Sequence, residues 1–136
     1  MLNGEKMELP EELNRLTGEV VDAAFKVHRE LGPGLLENIY EICMGEELEQ
    51  KGLSFERQKE VPIVYCDKKI DAAYRLDLLV DGKVLVEIKA VDHLLPVHKA
   101  QVITYLKLTG VRAGLLINFN VTMIKDGIQR VVLSEI

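Results

Sequence analysis

YRLDLLVDGKVLVEIKA, residues 74–90, is the stretch that decides the fold. Two runs dense in Leu, Val and Ile flank the turn signal Asp81-Gly82, the pattern of two antiparallel strands. Arg75, Asp77, Glu87 and Lys89 interrupt that pattern, and a charge inside a core strand is costly to bury unless it is paired or bound. The register decides where these charges go. A two-residue loop pairs Val80 with Lys83 and sends Asp77 and Glu87 to opposite faces, each mixing charge with aliphatic residues. A three-residue loop, Asp81-Gly82-Lys83, pairs Val80 with Val84 and Asp77 with Glu87. Tyr74, Leu76, Leu78, Val80, Val84, Val86, Ile88 and Ala90 then form a nearly apolar face. Arg75, Asp77, Leu79, Leu85, Glu87 and Lys89 form the other, with the charges gathered away from the turn. A slip of one residue would mix the faces again, so burial selects the second register.

Outward from this hairpin, Leu13, Leu16, Val20, Ala24, Val27 and Leu31 recur at helical spacing. They predict a helix over residues 10–31, stopped by Gly32-Pro33-Gly34. A second helix is expected over residues 35–51, ended by Gly52, and a strand over residues 54–65, edged or interrupted at Pro62. After the hairpin come a helix over residues 94–109 closed by Gly110, a strand in AGLLINF, and a tail, VTMIKDGIQRVVL, that reads as a hairpin turning at Asp126-Gly127. Helices before and after strands, with short connections, indicate an α/β domain: one mixed β-sheet flanked by helices, in the order α-α-β-β-β-α-β-β. The 136 residues suit a single domain. Residues 1–10 are expected to be a flexible N-terminal segment.

Composition narrows the function. No apolar run approaches the roughly 20 residues of a membrane span, and the polar start lacks the apolar core of a secretion signal, which predicts a cytoplasmic protein without a membrane partner. Cys43 and Cys66 have neither disulfide-framework nor metal-binding spacing and are expected to be buried fillers. A net charge of −5 excludes a generally basic surface for nucleic acid. A polyanionic partner would need a local patch, for which Lys99, Lys107 and Arg112 are candidates, or a bound metal.

Asp77 opposite Glu87 places two carboxylates within about 5 Å. Such a pair is tolerated when a divalent cation or a shared proton joins it. Lys89, two residues along the same face, can point its charge at an anion. The other reading of these residues is a solvated face of cross-strand ion pairs, Arg75 with Glu87 and Asp77 with Lys89.

Asp77, nine residues, then Glu87-Ile88-Lys89 resembles the metal-binding signature of the PD-(D/E)XK nuclease superfamily. GLLENIY, residues 34–40, is similar to the GxxExxY motif after which one family of that superfamily is named, and the likeness extends over roughly residues 13–133. It implies a restriction-endonuclease-like core that hydrolyses phosphodiester bonds, chiefly in DNA. By the same resemblance Asp77 and Glu87, with the Ile88 carbonyl and Glu37, hold Mg²⁺ or Mn²⁺, and Lys89 orients or activates the attacking water. QVITY is similar to the QxxxY element of some of these nucleases, which adds Gln101 to the expected catalytic set and Tyr105 as an accessory. Tyr40 and His98 share helix faces with Glu37 and Gln101 and are further accessory candidates. The family's Pro before the first acid is replaced by Leu76. A partner protein that supplies the substrate fits the acidic balance, and a homodimer is a further expectation. The competing expectation is a non-catalytic nucleic-acid-binding or protein-interaction domain that keeps the fold.

Overall fold

A computed structural model describes residues 9–133, so most of the expected N-terminal segment lies outside the described residues. The first helix, α1 (Glu11–Leu31), opens with Glu11 and Glu12 in its first turn and closes with His28 and Arg29 in its last, the charge order that suits a helix dipole. It buries Leu13, Leu16, Val20, Ala23, Ala24 and Val27 as one stripe and ends at Gly32, whose φ of 69° favours glycine. The second, α2 (Glu37–Gln50), buries Tyr40, Glu41, Met44, Gly45 and Leu48.

Five strands follow: β1 (Phe55–Tyr65), β2 (Lys68–Val80), β3 (Val84–Lys89), β4 (Ala113–Asn118) and β5 (Ile128–Val132), with α3 (Pro96–Thr109) between β3 and β4. They lie side by side in sequence order in one sheet. Only the β3–β4 pair is parallel, because α3 carries the chain back across the sheet between them. Helices α1 and α2 cover one face, on Leu78, Val80, Val84, Val86, Ile88, Leu115 and Ile117. Helix α3 covers the other, its Val102, Tyr105 and Leu106 meeting Val61, Leu76, Leu85 and Leu116. A Cβ at Gly114 would come within 2.9 Å of Val102, so glycine there sets how closely α3 lies on the sheet. The element order is the one expected, α-α-β-β-β-α-β-β.

The β2–β3 register is also the expected one, with Val80 opposite Val84, Leu79 opposite Leu85 and Leu78 opposite Val86. The loop is Asp81-Gly82-Lys83: Asp81 and Gly82 adopt φ of 54° and 66°, and Lys83 N–H closes it on Val80 O at 2.9 Å.

Three expectations need correction. The tail is not a hairpin: residues Ile124–Gly127 form a 3₁₀ turn, and only β5 pairs, antiparallel to β4. Gly127 is there because a Cβ would collide with Asn118 O, not to turn a hairpin. Cys66 is exposed rather than buried. With Asp67 it forms the two-residue tip of the β1–β2 hairpin, at φ of 51° and 64°, as a type I′ turn requires. The ribbon leading to that tip leaves Val64, Tyr65 and Ile70 exposed. The third correction, the change of face along β2, shapes the site.

Candidate active site

Beyond Leu78–Val86 the β2–β3 ladder stops, and side chains take over its hydrogen bonds. The Asp77 N–H donates to Glu87 Oε2 at 3.1 Å. The Ile88 N–H donates to Asp77 Oδ2 at 2.7 Å. Each carboxylate thus stands in for a backbone carbonyl, and the Asp77 side chain reaches across from β2 to β3. The β1–β2 ladder is broken at the same point, since Arg57 pairs with Leu78 and Lys59 with Leu76 while Gln58 and Asp77 between them do not pair. Gln58 has a φ of 52°, a left-handed conformation uncommon for a residue with a side chain. The consequence is a twist in β2: Leu78 packs under α1 and α2, whereas Leu76, two residues away, packs under α3. The single apolar face expected from Tyr74 to Val80 therefore splits at Asp77, because strict alternation holds only along an unbroken strand.

Glu87 is only 5% exposed. Its pKa is pushed up to about 8, first by burial and then by the neighbouring Asp77 charge, against the Asp77 N–H and Lys89, which favour the anion. Asp77 is half-buried and raised to about 6, first by burial, with the Ile88 N–H opposing and the charges of Glu41 and Glu37 adding to the rise. Among the described residues Asp77 Oδ1 and Glu87 Oε1 make no hydrogen bond. The ion-pair reading is not what these strands adopt. Arg75 turns to β1 and pairs with Glu60 at 3.1 Å, and Lys89 is in no ion pair among the described residues.

Of the other predicted residues, Glu37 stands at the start of α2 and accepts the Ala90 N–H at 3.3 Å. That contact ties it to the segment just past Lys89. Tyr40 is fully buried and stacked on Phe119 at 4.5 Å. Its hydroxyl donates to Gly32 O at 2.6 Å and accepts from Leu35 N–H at 3.1 Å, so it holds the loop that presents Glu37. His98 accepts the Leu95 N–H on Nδ1 at 2.9 Å and caps the start of α3. Gln101 is exposed, one turn before Tyr105 on α3. Burial raises the Tyr105 pKa, and the charges of Glu87, then of Tyr74 and Asp77, add to the rise. Ile88 contributes its amide to Asp77 and buries its side chain.

Sequence reasoning missed three residues here. Glu41, one turn after Glu37, is 5% exposed and accepts from Arg57 at 3.0 Å and Gln58 at 2.8 Å. The i, i+4 spacing of the two acids was the available signal. Tyr74 packs its ring 5.1 Å from Tyr105, and only a change of face at Asp77 would have predicted that contact. Asn118 is buried and latches the segment after β3 through Val91 N–H at 3.0 Å and Val91 O at 2.9 Å.

Among the described residues no group of three or more His, Cys, Asp or Glu is assembled tightly enough to hold a metal ion. The donors present are two hard carboxylates with one uncommitted oxygen each, which fits an ion that retains much of its water shell, as Mg²⁺ does, rather than a closed protein cage.

The comparison with curated proteins finds no match. A solved structure described as the crystal structure of SSO0001 is similar at 24% identity and a TM-score of 0.50, over 72% of this chain and 49% of that one. The chain thus spans about half the length of that protein, and the likeness concerns the fold. The sequence pattern of the PD-(D/E)XK nuclease superfamily matches residues 14–131, from α1 through β5. That span takes in the mixed sheet, its flanking helices and the acids at the broken end of the hairpin; the chain belongs to the PD-(D/E)XK nuclease superfamily.

Proposed function

We propose that this protein is a divalent-metal-dependent nuclease of the GxxExxY family, a cytoplasmic enzyme whose nuclease-like domain hydrolyses phosphodiester bonds in DNA with Mg²⁺ or Mn²⁺. The observation that carries the reading is the bridged pair at the end of the hairpin: Asp77 and Glu87 are held side by side by two backbone amides, each with an oxygen to spare. In this reading those two oxygens and the Ile88 carbonyl hold the ion directly, and Glu37, which is not gathered with the pair into a three-acid cluster, holds it through a water. A bound divalent ion supplies Lewis acidity and a more acidic water. Lys89, half-buried on the strand of Glu87, holds the attacking water or the phosphate with its ammonium. In this reading Gln101 and Tyr105, one turn apart on α3, orient the substrate. Tyr40 and His98 fix the loops that carry Glu37 and α3.

Purified protein is expected to cut at least one form of DNA with Mg²⁺ or Mn²⁺ and to stop in chelator. Lys89→Ala should lower the rate by about 100-fold or more, the scale of a positioned proton-transfer or charge-stabilising group, with the melting temperature unchanged. Inactivity of wild type across linear, nicked, branched and single-stranded DNA would replace this reading with that of a non-catalytic nucleic-acid-binding domain.

A further inference from the structure

Glu41 is a buried acid whose two oxygens are both taken, and both donors come from β1. Arg57 Nε donates to Oε2 at 3.0 Å, and Gln58 Nε2 donates to Oε1 at 2.8 Å. A surface ion pair would need only the first contact. The second grips the one β1 residue with left-handed backbone inside the β1–β2 pairing, Gln58 at a φ of 52°. Such a conformation is unfavourable for a glutamine within a strand and persists only where its surroundings hold it. The position is pointed. The pairs Arg57–Leu78 and Lys59–Leu76 flank a missing Gln58–Asp77 rung, and the change of face in β2 happens at Asp77, between Leu76 and Leu78.

We propose that Glu41, Arg57 and Gln58 form a clamp that positions Asp77: by holding Gln58 left-handed, Glu41 opens the ladder at one residue and lets the Asp77 carboxylate lie between β2 and β3. Released from β1, Asp77 reaches the Ile88 N–H, and its own N–H meets Glu87. Glu41 is then a positioning residue, its oxygens already committed and therefore not metal ligands. What the clamp serves rests on the nuclease reading, whereas its geometry does not.

Amide hydrogen exchange of the whole, metal-free chain tests the geometry, since the Ile88 N–H is covered by the Asp77 carboxylate. Glu41→Ala should speed exchange at Ile88 by about tenfold or more while the amides of Leu78 and Val86 stay protected, a local opening rather than a global one. Adding Gln58→Gly should restore most of the protection, because glycine holds a positive φ without a clamp. With Glu41 intact, Gln58→Gly should keep Ile88 protected and Gln58→Ala should expose it, a comparison that survives if Glu41→Ala fails to fold. Unchanged exchange at Ile88 in Glu41→Ala, or equal exchange in Gln58→Gly and Gln58→Ala, overturns the clamp. Calorimetric titration with Mn²⁺ reads its purpose: Glu41→Ala should bind about tenfold or more weakly, as when a residue supporting a ligand is removed, and Gln58→Gly should recover that loss. If wild type binds no Mn²⁺ and cuts no DNA, the nuclease reading fails while the exchange result still decides the clamp.

Discussion

The two ends of the β2–β3 hairpin are built from the same strands and held by different physics. At the turn end three consecutive rungs, Val80–Val84, Leu79–Leu85 and Leu78–Val86, place aliphatic side chains into the cores on both faces. At the other end the next residue pair, Asp77 and Glu87, makes no rung and is joined by carboxylate-to-amide hydrogen bonds. Burial holds the first end, and it is indifferent to pH and to ions. The second end satisfies its backbone with groups that change charge, so its stability answers to protons. The difference shows how a small sheet can carry a pair of buried acids: the rungs fix the register, and the β2–β3 ladder fails where the acids meet.

The largest effect should come from the aliphatic end. Leu78 is fully buried under α1 and α2, and Leu78→Ala should destabilise the protein by about 3 kcal/mol, the usual loss for emptying a packed leucine site. Urea denaturation measures it directly. A loss below about 1 kcal/mol would mean that the rungs do not anchor the hairpin.

The same contrast explains what the sequence discloses. The register was legible because alternation on either side of Asp81-Gly82 leaves one arrangement that separates apolar from charged residues. The placing of Asp77 beside Glu87 followed from it. The twist at Asp77 was not legible, since nothing in the letters QK of Gln58-Lys59 announces a positive φ. Glu41 was missed for a related reason: a glutamate on a helix reads as solvated surface unless its partners on a distant strand are known. The Asp126-Gly127 pair misled because a turn signal was assumed where glycine answers instead to the approach of Asn118 O. Composition could not place Cys66, because tolerance of a left-handed turn at Cys66-Asp67 is set by the ribbon around it.

Next in size is the response of the bridged end to pH in the metal-free protein. Glu87 has an ordinary value of 4.5 and a folded value of about 8. Folding thus favours its protonated form. The stability it contributes is complete below its ordinary value and is lost as pH rises through the folded one. Asp77 adds a loss in the same direction between 3.8 and about 6. Metal-free wild type should therefore become less stable from mild acid to mild alkali. Glu87→Gln keeps an oxygen for the Asp77 N–H but never ionises. It should exceed wild type at pH 8 by at least about 1.4 kcal/mol, the value of one pKa unit, and the advantage should shrink toward pH 5. Thermal melts of the two proteins across that range check it. Parallel curves would mean that Glu87 is not held protonated by the fold, and the contrast between the two ends would lose its electrostatic half.

The smallest effect concerns the ring pair past the twist. Tyr74 is 47% exposed and tilts at 54° against Tyr105, with centroids 5.1 Å apart. It stands on the α3 side, as Leu76 does, so it could help hold the broken end in place of the acids. An exposed aromatic contact contributes about 0.5–1 kcal/mol beyond its area, and leucine would still cover part of Tyr105. Tyr74→Leu should then cost no more than about 1 kcal/mol and leave the Ile88 amide protected. The Tyr105 phenol, raised chiefly by burial and then by Glu87, should stay above its ordinary value in Glu87→Gln and fall only part of the way, which ultraviolet titration measures. If Tyr74→Leu cost as much as Leu78→Ala, or exposed the Ile88 amide, the aromatic pair and not the carboxylate bridge would be setting the open end, and Asp77 would owe its place to α3 rather than to α2.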